Sequence, residues 1–371
     1  MNIVWLTWKD RTNPLAGGAE VIGDHLAQRL AADGHRVTMI VGGYPGAAAA
    51  EARHGYQIVR VGGRLTTYVA AARYYRAHRA QLAPDLVIDE CNTLPYLAGW
   101  YAGVRVVPLF HMLCRQIWFY EMPLPLSLIG WLFEPLYLRL VRPRTAITVS
   151  DSTRRDLMRA GFPADRISVI SEAIELAPAP NLDIAKYPQP TLLSLGAQRS
   201  MKRTLHQIRA FELAKPHHPT LQLKVAGPAV GRYGRRVQAA IRASPYASDI
   251  EYLGAVSLDV KRTLMQRCHA ILVTSVKEGW GLIVTEAASQ GTPAIVYDVD
   301  GLRDSVRPGQ TGLITPTNTP AGLATAISQL LDDPAHYRQL RQAAWRWSHE
   351  LTFDHCYADF VRALNLPSHQ S

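Results

Sequence analysis

Cysteine is scarce in this chain. Four of 371 residues are cysteine. Cys91, Cys114, Cys268 and Cys356 stand too far apart in sequence for a metal-ligand spacing or a disulfide framework. That usage fits reduced thiols in a cytoplasmic protein. Long apolar runs are missing too: none reaches the roughly 18 residues that a membrane-crossing helix needs. The opening M-N-I-V-W-L-T-W-K-D lacks a basic n-region and an apolar h-region, so it reads as a first strand and not as a secretion signal. There is no solenoid-period repeat and no low-complexity tract; Ala47 to Ala50 is a short alanine run in a loop or helix start. No G-x-G-x-x-G follows the first strand, which leaves a dinucleotide cofactor without its signature. Acidic residues are in deficit, with Lys+Arg 40 against Asp+Glu 30 and a formal net charge of +10. The basic excess is dispersed and accompanied by no nucleic-acid motif, so nucleic acid is not an expected partner. A solvated arginine-rich surface accounts for most of it; a diphosphate ligand or an anionic membrane accommodates the rest.

What is present is enough apolar sequence for two cores. At this length two domains are the default. The chain is organised around Ala270 to Leu313. Ala270 to Thr274 is a buried-strand pattern, Lys277-Glu278-Gly279-Trp280-Gly281 is a glycine turn, Leu282 to Gln290 is helical and Thr292 to Tyr297 is the next strand. A glycine turn feeding a helix N-terminus offers unpaired N–H groups and the positive end of a helix dipole, an anion site. Glu278 and Glu286 bracket it. Leu282, Ile283 and Glu286 share a helix face, and the two carboxylates are expected about 10 Å apart. That is too wide for the roughly 5 Å pair of a retaining glycosidase. It suits a long ligand with a phosphate centre and hydroxyls at both ends, the layout of a nucleotide sugar.

The remainder reads as strand–helix alternation. Ile3 to Thr7 is a strand; Gly17-Gly18 opens a helix running to about Ala32; Arg36 to Val41 is the second strand. Asp85 to Asp89 is a strand with Glu90 and Asn92 following its carboxyl end, where ligands bind in open α/β sheets and where helix caps also fall. Arg105 to Phe110 leads into His111, placed to hydrogen-bond a ligand hydroxyl. Met112 to Arg144 is rich in Trp, Leu, Pro and terminal Arg. It serves either as a buried cover over the N-terminal sheet, the first expectation, or as a peripheral membrane contact. Leu176 to Pro190 is a proline-rich linker. Thr191 to Leu195, Leu221 to Ala226 and Ile250 to Gly254 are strands of the second domain, and helices follow Pro320, Pro334 and Thr352. The expected division is 1–176, a linker at 177–190, 191–350, and a final helix and tail at 351–371.

The run E-G-W-G-L-I-V-T-E-A-A-S-Q-G-T-P-A-I-V-Y-D-V-D-G-L-R-D-S-V, followed by G-Q-T-G-L, resembles the donor-site block of the family-4 (group 1) retaining glycosyltransferases. The resemblance extends over nearly the whole chain. It implies a GT-B fold: two Rossmann-like parallel-sheet domains facing across a cleft, the last helix crossing back to the N-terminal domain. It implies transfer of a hexose from a nucleoside-diphosphate sugar to a saccharide, lipid-linked or small-molecule hydroxyl, with retention and no metal. Carried onto this chain, His111, Lys202 and Glu278 are the catalytic candidates. Gly17, Gly18, Arg199, Val256, Gly279, Gly281, Leu282, Ile283 and Glu286 are donor-binding candidates, and Glu90 and Asn92 lie on the acceptor side. The family's E-x7-E pair is Glu278 and Glu286. Lys202 matches its diphosphate lysine. Two departures stand out. Ala197 occupies the place of the family's arginine, leaving Arg199 as its substitute, and Glu172-Ala173 replaces a common Asn-Gly. Asp298-Val299-Asp300 spells the metal motif of another transferase fold but sits inside the E-x7-E block, so it is read as structural. An epimerase or a phosphorylase of the same fold, or a non-catalytic nucleotide-sugar-binding protein, is the alternative function.

Overall fold

The computed structural model describes residues 1–366. The chain divides into two compact units. One comprises 1–115, 129–173 and 352 onward; the other comprises 116–128 and 174–351.

The first unit holds eight strands: β1 (Asn2–Leu6), β2 (Arg36–Gly42), β3 (Ala50–Arg53), β4 (Tyr56–Val61), β5 (Leu86–Cys91), β6 (Arg105–Phe110), β7 (Ala146–Thr148) and β8 (Ile167–Val169). Their spatial order is β3-β4-β2-β1-β5-β6-β7-β8. All neighbours are parallel except the β3/β4 hairpin. The inner strands are buried along nearly their whole length, which is why they read as continuous apolar runs rather than alternating ones. The alanine run is not a helix start, because Ala50 opens β3. The strand expected to stop at Asp89 runs on to Cys91, so Glu90 is a strand residue rather than a cap.

The second unit holds β9 (Thr191–Leu195), β10 (Gln222–Ala226), β11 (Ile250–Gly254), β12 (Ala270–Val273), β13 (Ala294–Val296) and β14 (Gly312–Ile314), in the order β11-β10-β9-β12-β13-β14 and all parallel. Each sheet therefore changes direction once. The first switches at β1/β5 and the second at β9/β12. At such points the connecting helices leave on opposite faces and open a crevice beyond the strand ends.

Two expectations change and one, the placement of the final helix, is met. The expected linker 177–190 groups with the second unit and is held to it by polar contacts. Lys186 Nζ donates to the Gly291 carbonyl (2.9 Å) and to Thr292 Oγ1 (2.5 Å), Arg341 Nη2 to the Leu182 carbonyl (2.8 Å) and Trp345 Nε1 to the Ala179 carbonyl (2.8 Å). A proline-rich strap has few N–H groups to offer, so Arg341 and Trp345 hold it by its carbonyls while its own Lys186 donates outward. The final helix, Phe353–Ala363, belongs to the first unit, where Cys356 and Phe360 are fully buried and Phe360 stacks on Trp5. The segment 112–144 is not a buried cover: most of the helix Leu126–Val141 faces outward.

Candidate functional site

In the second unit the site forms where β9 and β12 end. Gly196 follows β9, and the chain then turns through Gln198. Its amide group donates to the carbonyls of Gly196 (2.7 Å) and Ala226 (3.3 Å) and its oxygen accepts from Thr204 Oγ1 (2.5 Å), fixing this loop against β10. Lys202 sits at the end of the turn. Its carbonyl accepts from Thr274 Oγ1 just beyond β12 (2.9 Å), and its Nζ meets Glu278 Oε1 at 2.5 Å. Ser275 Oγ donates to the same carboxylate oxygen (2.5 Å). Lysine and glutamate thus meet across 76 residues of sequence.

The glycine turn is held from beneath. The Glu278 N–H donates to the Asp300 carbonyl (3.0 Å), and the buried Lys277 ammonium lies 3.3 Å from Asp300 Oδ2. Arg303 clamps Asp298 (2.9 Å) and Asp300 (2.5 Å). Both carboxylates of the D-x-D are therefore compensated by fixed cations, the arrangement expected of a structural brace. Among the described residues no group of three or more His, Cys, Asp or Glu side chains is placed to hold a metal ion. Gly301 has φ +80, and a Cβ there would lie 2.3 Å from the Glu278 carbonyl oxygen. Gly281 (φ +106) is the N-cap of the helix Leu282–Ser289. A side chain on it would press on Leu302 (2.9 Å) and Ser305 (3.0 Å). This left-handed residue starts a helix whose first N–H groups, those of Leu282 and Ile283, have no partner inside it, and Ile283 lines the same hollow as Lys202 and Gly196.

One turn into that helix, Glu286 Oε1 pairs with Lys261 Nζ at 2.7 Å. Burial raises the Glu286 pKa, and the Lys261 charge and hydrogen bond oppose the rise. Val256, before the Ser257 cap of the helix Leu258–Arg267, is half-buried against the same apolar cluster as Ile283. Arg199 is directed elsewhere: its guanidinium lies 3.8 Å from Glu121 and 3.3 Å from Met201 Sδ, with Nε buried and unpartnered. Glu121 comes from the segment 116–128, which belongs to this unit and also sets Tyr120 on Arg203 (2.9 Å).

In the first unit the carboxyl ends of β1, β5 and β6 carry a second polar cluster. Glu90 is buried and takes three bonds: from Trp5 Nε1 (2.6 Å), with His111 Nε2 (3.1 Å), and from Asn92 Nδ2 (3.3 Å). The His111 carbonyl accepts from Thr153 Oγ1 (3.2 Å). Burial disfavours charge on His111, but the hydrogen bond and charge of Glu90, with Glu172 and Glu20 farther off, outweigh it and raise its pKa. Glu172 is buried with Oε2 unpartnered. Burial pushes its pKa up to about 7, and the nearby His111 charge and the Ala173 N–H only partly offset this. Gly17 caps the helix Gly18–Ala32, and its N–H donates to Glu20 Oε2 (2.6 Å). Glu20 also pairs with Lys9 (3.2 Å).

The structure thus joins Lys202, Glu278, Gly281, Leu282 and Ile283 in one place and Glu90, Asn92 and His111 in another. Sequence reasoning missed Ser275, Lys261, Lys277 and Trp5 as partners. Only Ser275, three residues before Glu278, lies close enough in sequence to have been proposed.

Residues 16–177 match Glycosyltransferase Family 4 and residues 184–347 match Glycosyl transferases group 1. Between them these matches span nearly the whole chain, which belongs to the group 1 glycosyltransferases of GT-B fold. Relatives include an exopolysaccharide phosphotransferase of Streptomyces coelicolor, 29% identical over 62% of this chain and 24% of its own length. A glycogen synthase of Mycobacterium tuberculosis is 30% identical over 41% of this chain and 36% of its own. The chain thus spans about a quarter to a third of these relatives. The same fold is seen in a sucrose-phosphate synthase from Thermosynechococcus elongatus (TM-score 0.80, 19% identity, 98% of both chains). It is seen again in HepE of Anabaena in complex with UDP and glucose (TM-score 0.73, 16% identity, 98% of this chain and 99% of that one).

Proposed function

We propose that this glycosyltransferase moves a hexose from a nucleoside-diphosphate sugar to an acceptor hydroxyl, with retention at the anomeric carbon and without a metal ion. The observation that carries this reading is the Lys202–Glu278 pair, set beside the first-turn amides of Leu282 and Ile283. Breaking the bond from sugar to diphosphate leaves negative charge on the departing phosphate. The lysine, itself a quarter exposed, exchanges its carboxylate partner for the phosphate, and the helix N-terminus adds fixed dipoles. Glu278, released from Lys202, then accepts from sugar hydroxyls, and Glu286 from ribose hydroxyls. Asp298 and Asp300 are already neutralised by Lys277 and Arg303, so the charge on the diphosphate is met by Lys202 and the helix. The Anabaena neighbour of the same fold takes UDP and glucose, which supports a nucleotide-sugar donor. In the first unit, His111 and Glu90 are the groups proposed to meet sugar or acceptor hydroxyls. The acceptor is a saccharide, a lipid-linked glycan or a small molecule encountered in the cytoplasm or at its membrane.

Ala197, standing where the family carries arginine, with Arg199 engaged by Glu121, favours one second reading: a nucleotide-sugar-binding protein without turnover. Calorimetric titration with UDP, GDP, ADP and their hexose conjugates, with magnesium or with EDTA, tests both. The expected result is metal-independent binding of one nucleotide, weakened about tenfold or more in Glu286→Ala as two ribose hydrogen bonds are lost. Binding of none overturns the donor-site assignment. Binding without sugar transfer or hydrolysis across an acceptor panel favours the second reading.

A further inference from the structure

The helix Leu126–Val141 is built the wrong way round for a globular core. From residue 129 onward the side chains it buries are Glu134, Leu138 and Val141, on one helical line. The line roughly opposite carries Ile129, Phe133, Leu136 and Leu140, each 41–58% exposed. Polar contacts hold the helix down. Glu134 is fully buried and its carboxylate accepts from the N–H groups of Cys114 (2.8 Å) and Arg115 (2.7 Å), while Tyr137 Oη donates to the Thr93 carbonyl (3.0 Å). An acid turned inward and an aromatic–aliphatic strip turned outward mark a surface made for an apolar partner.

Charge selects the partner. Between Pro123 and Thr148 the charged residues are Glu134, which is buried, and Arg139, Arg142 and Arg144. Arg139 and Arg142 are exposed on the flank of the strip. Trp131 lies on the same side of the helix as Arg142, with the Arg115 guanidinium 5.5 Å from its ring. A strip of Leu, Ile and Phe with tryptophan and arginine at its edge matches the boundary between lipid headgroups and acyl chains, the arginines meeting anionic phosphates. Among the described residues no helix is long and apolar enough to cross a membrane, so this one lies on it. A second copy of the chain is the poorer occupant, because the strip and its flanks carry no exposed carboxylate to meet these arginines, the segment's one acid, Glu134, being buried. We propose that this face docks the protein on an anionic lipid surface. The proposal does not depend on the transfer chemistry.

The test is co-sedimentation of the full chain with phosphatidylcholine vesicles and with mixed phosphatidylcholine–phosphatidylglycerol vesicles, at low and high salt. Wild type should bind the mixed vesicles, less so at high salt, and the pure ones weakly. Phe133→Glu/Leu136→Glu should lower binding about tenfold or more with an unchanged melting temperature, since both residues are exposed. Arg139→Glu/Arg142→Glu should abolish the preference for the anionic vesicles. No binding of wild type at low salt, or equal binding by the apolar double variant, overturns the proposal. So does a wild-type dimer that the apolar double variant breaks while vesicle binding stays absent, an outcome that assigns the face to a second copy.

Discussion

The polar clusters of the two units occupy the same place in the fold, the carboxyl ends of strands at a switch point, yet they are made differently. In the second unit acid and base are paired one to one and reach solvent: Lys202 with Glu278, Lys261 with Glu286. In the first unit the carboxyls outnumber their cationic partners. Glu90 and Glu172 are buried around a single histidine, and one Glu172 oxygen has no partner. A pair that keeps an edge in solvent can exchange partners with an incoming anion more readily than a fully buried one. A buried cluster with excess acid is a proton store whose state depends on pH. The difference lies in burial: the pairs of the second unit keep an edge in solvent, whereas the acids of the first are buried and respond to pH.

The largest test of that contrast is Lys202→Ala. If Lys202 meets the leaving phosphate, kcat/KM for the nucleotide sugar should fall about a hundred- to a thousandfold with no loss of thermal stability, as for removal of one charge-stabilising donor. A fall in stability with unchanged kcat/KM would make the pair a structural brace.

Next in size is Gly301→Ala. The new Cβ would meet the Glu278 carbonyl at 2.3 Å with the backbone at φ +80. A loss of about 2–3 kcal/mol on denaturant unfolding is expected, together with weaker nucleotide binding because the turn bearing Glu278 must move. Wild-type stability would show that the loop carrying Asp300 yields freely.

The smallest effect belongs to the first unit. Glu172 rises from 4.5 to about 7, so the folded protein holds a proton there that the unfolded chain releases. Stability from this group is intact below about pH 4.5 and is lost as pH climbs through about 7. His111, also raised, acts in the same direction: its contribution is present below about 6.5 and declines above its folded value. Glu172→Gln should therefore flatten the wild-type fall in stability between about pH 5 and 8 by on the order of 1 kcal/mol, measured by denaturant titration across that range. An unchanged pH profile would show that Glu172 is solvated.

Much of both sites was legible before any coordinates, and the reason is spacing. Glu278 and Glu286 sit on one turn and the helix it feeds, and Gly281 announces the left-handed cap. These are local facts, set by backbone geometry within ten residues. The D-x-D could be set aside in sequence because of the block around it, and Arg303 and Lys277 supply the physical ground. Other features lay beyond a local reading. Trp5 reaches Glu90 across 85 residues and Lys261 reaches Glu286 across 25, and nothing in either segment marks its partner. The strap at 177–190 was visible as a boundary from its prolines, whereas its attachment depends on Lys186 and on Arg341, far away in sequence.

By itself the sequence determined that this protein alternates strands and helices in two halves and that a glycine turn feeding a helix follows β12. Hydrophobic period and glycine position are written residue by residue. Only the tertiary structure decided which cation compensates which carboxylate, which acid is left unpartnered, and which side of the helix Leu126–Val141 faces outward. Those outcomes depend on burial and on contacts between distant segments. An apolar helix looks the same in sequence whether the fold covers it or leaves it bare.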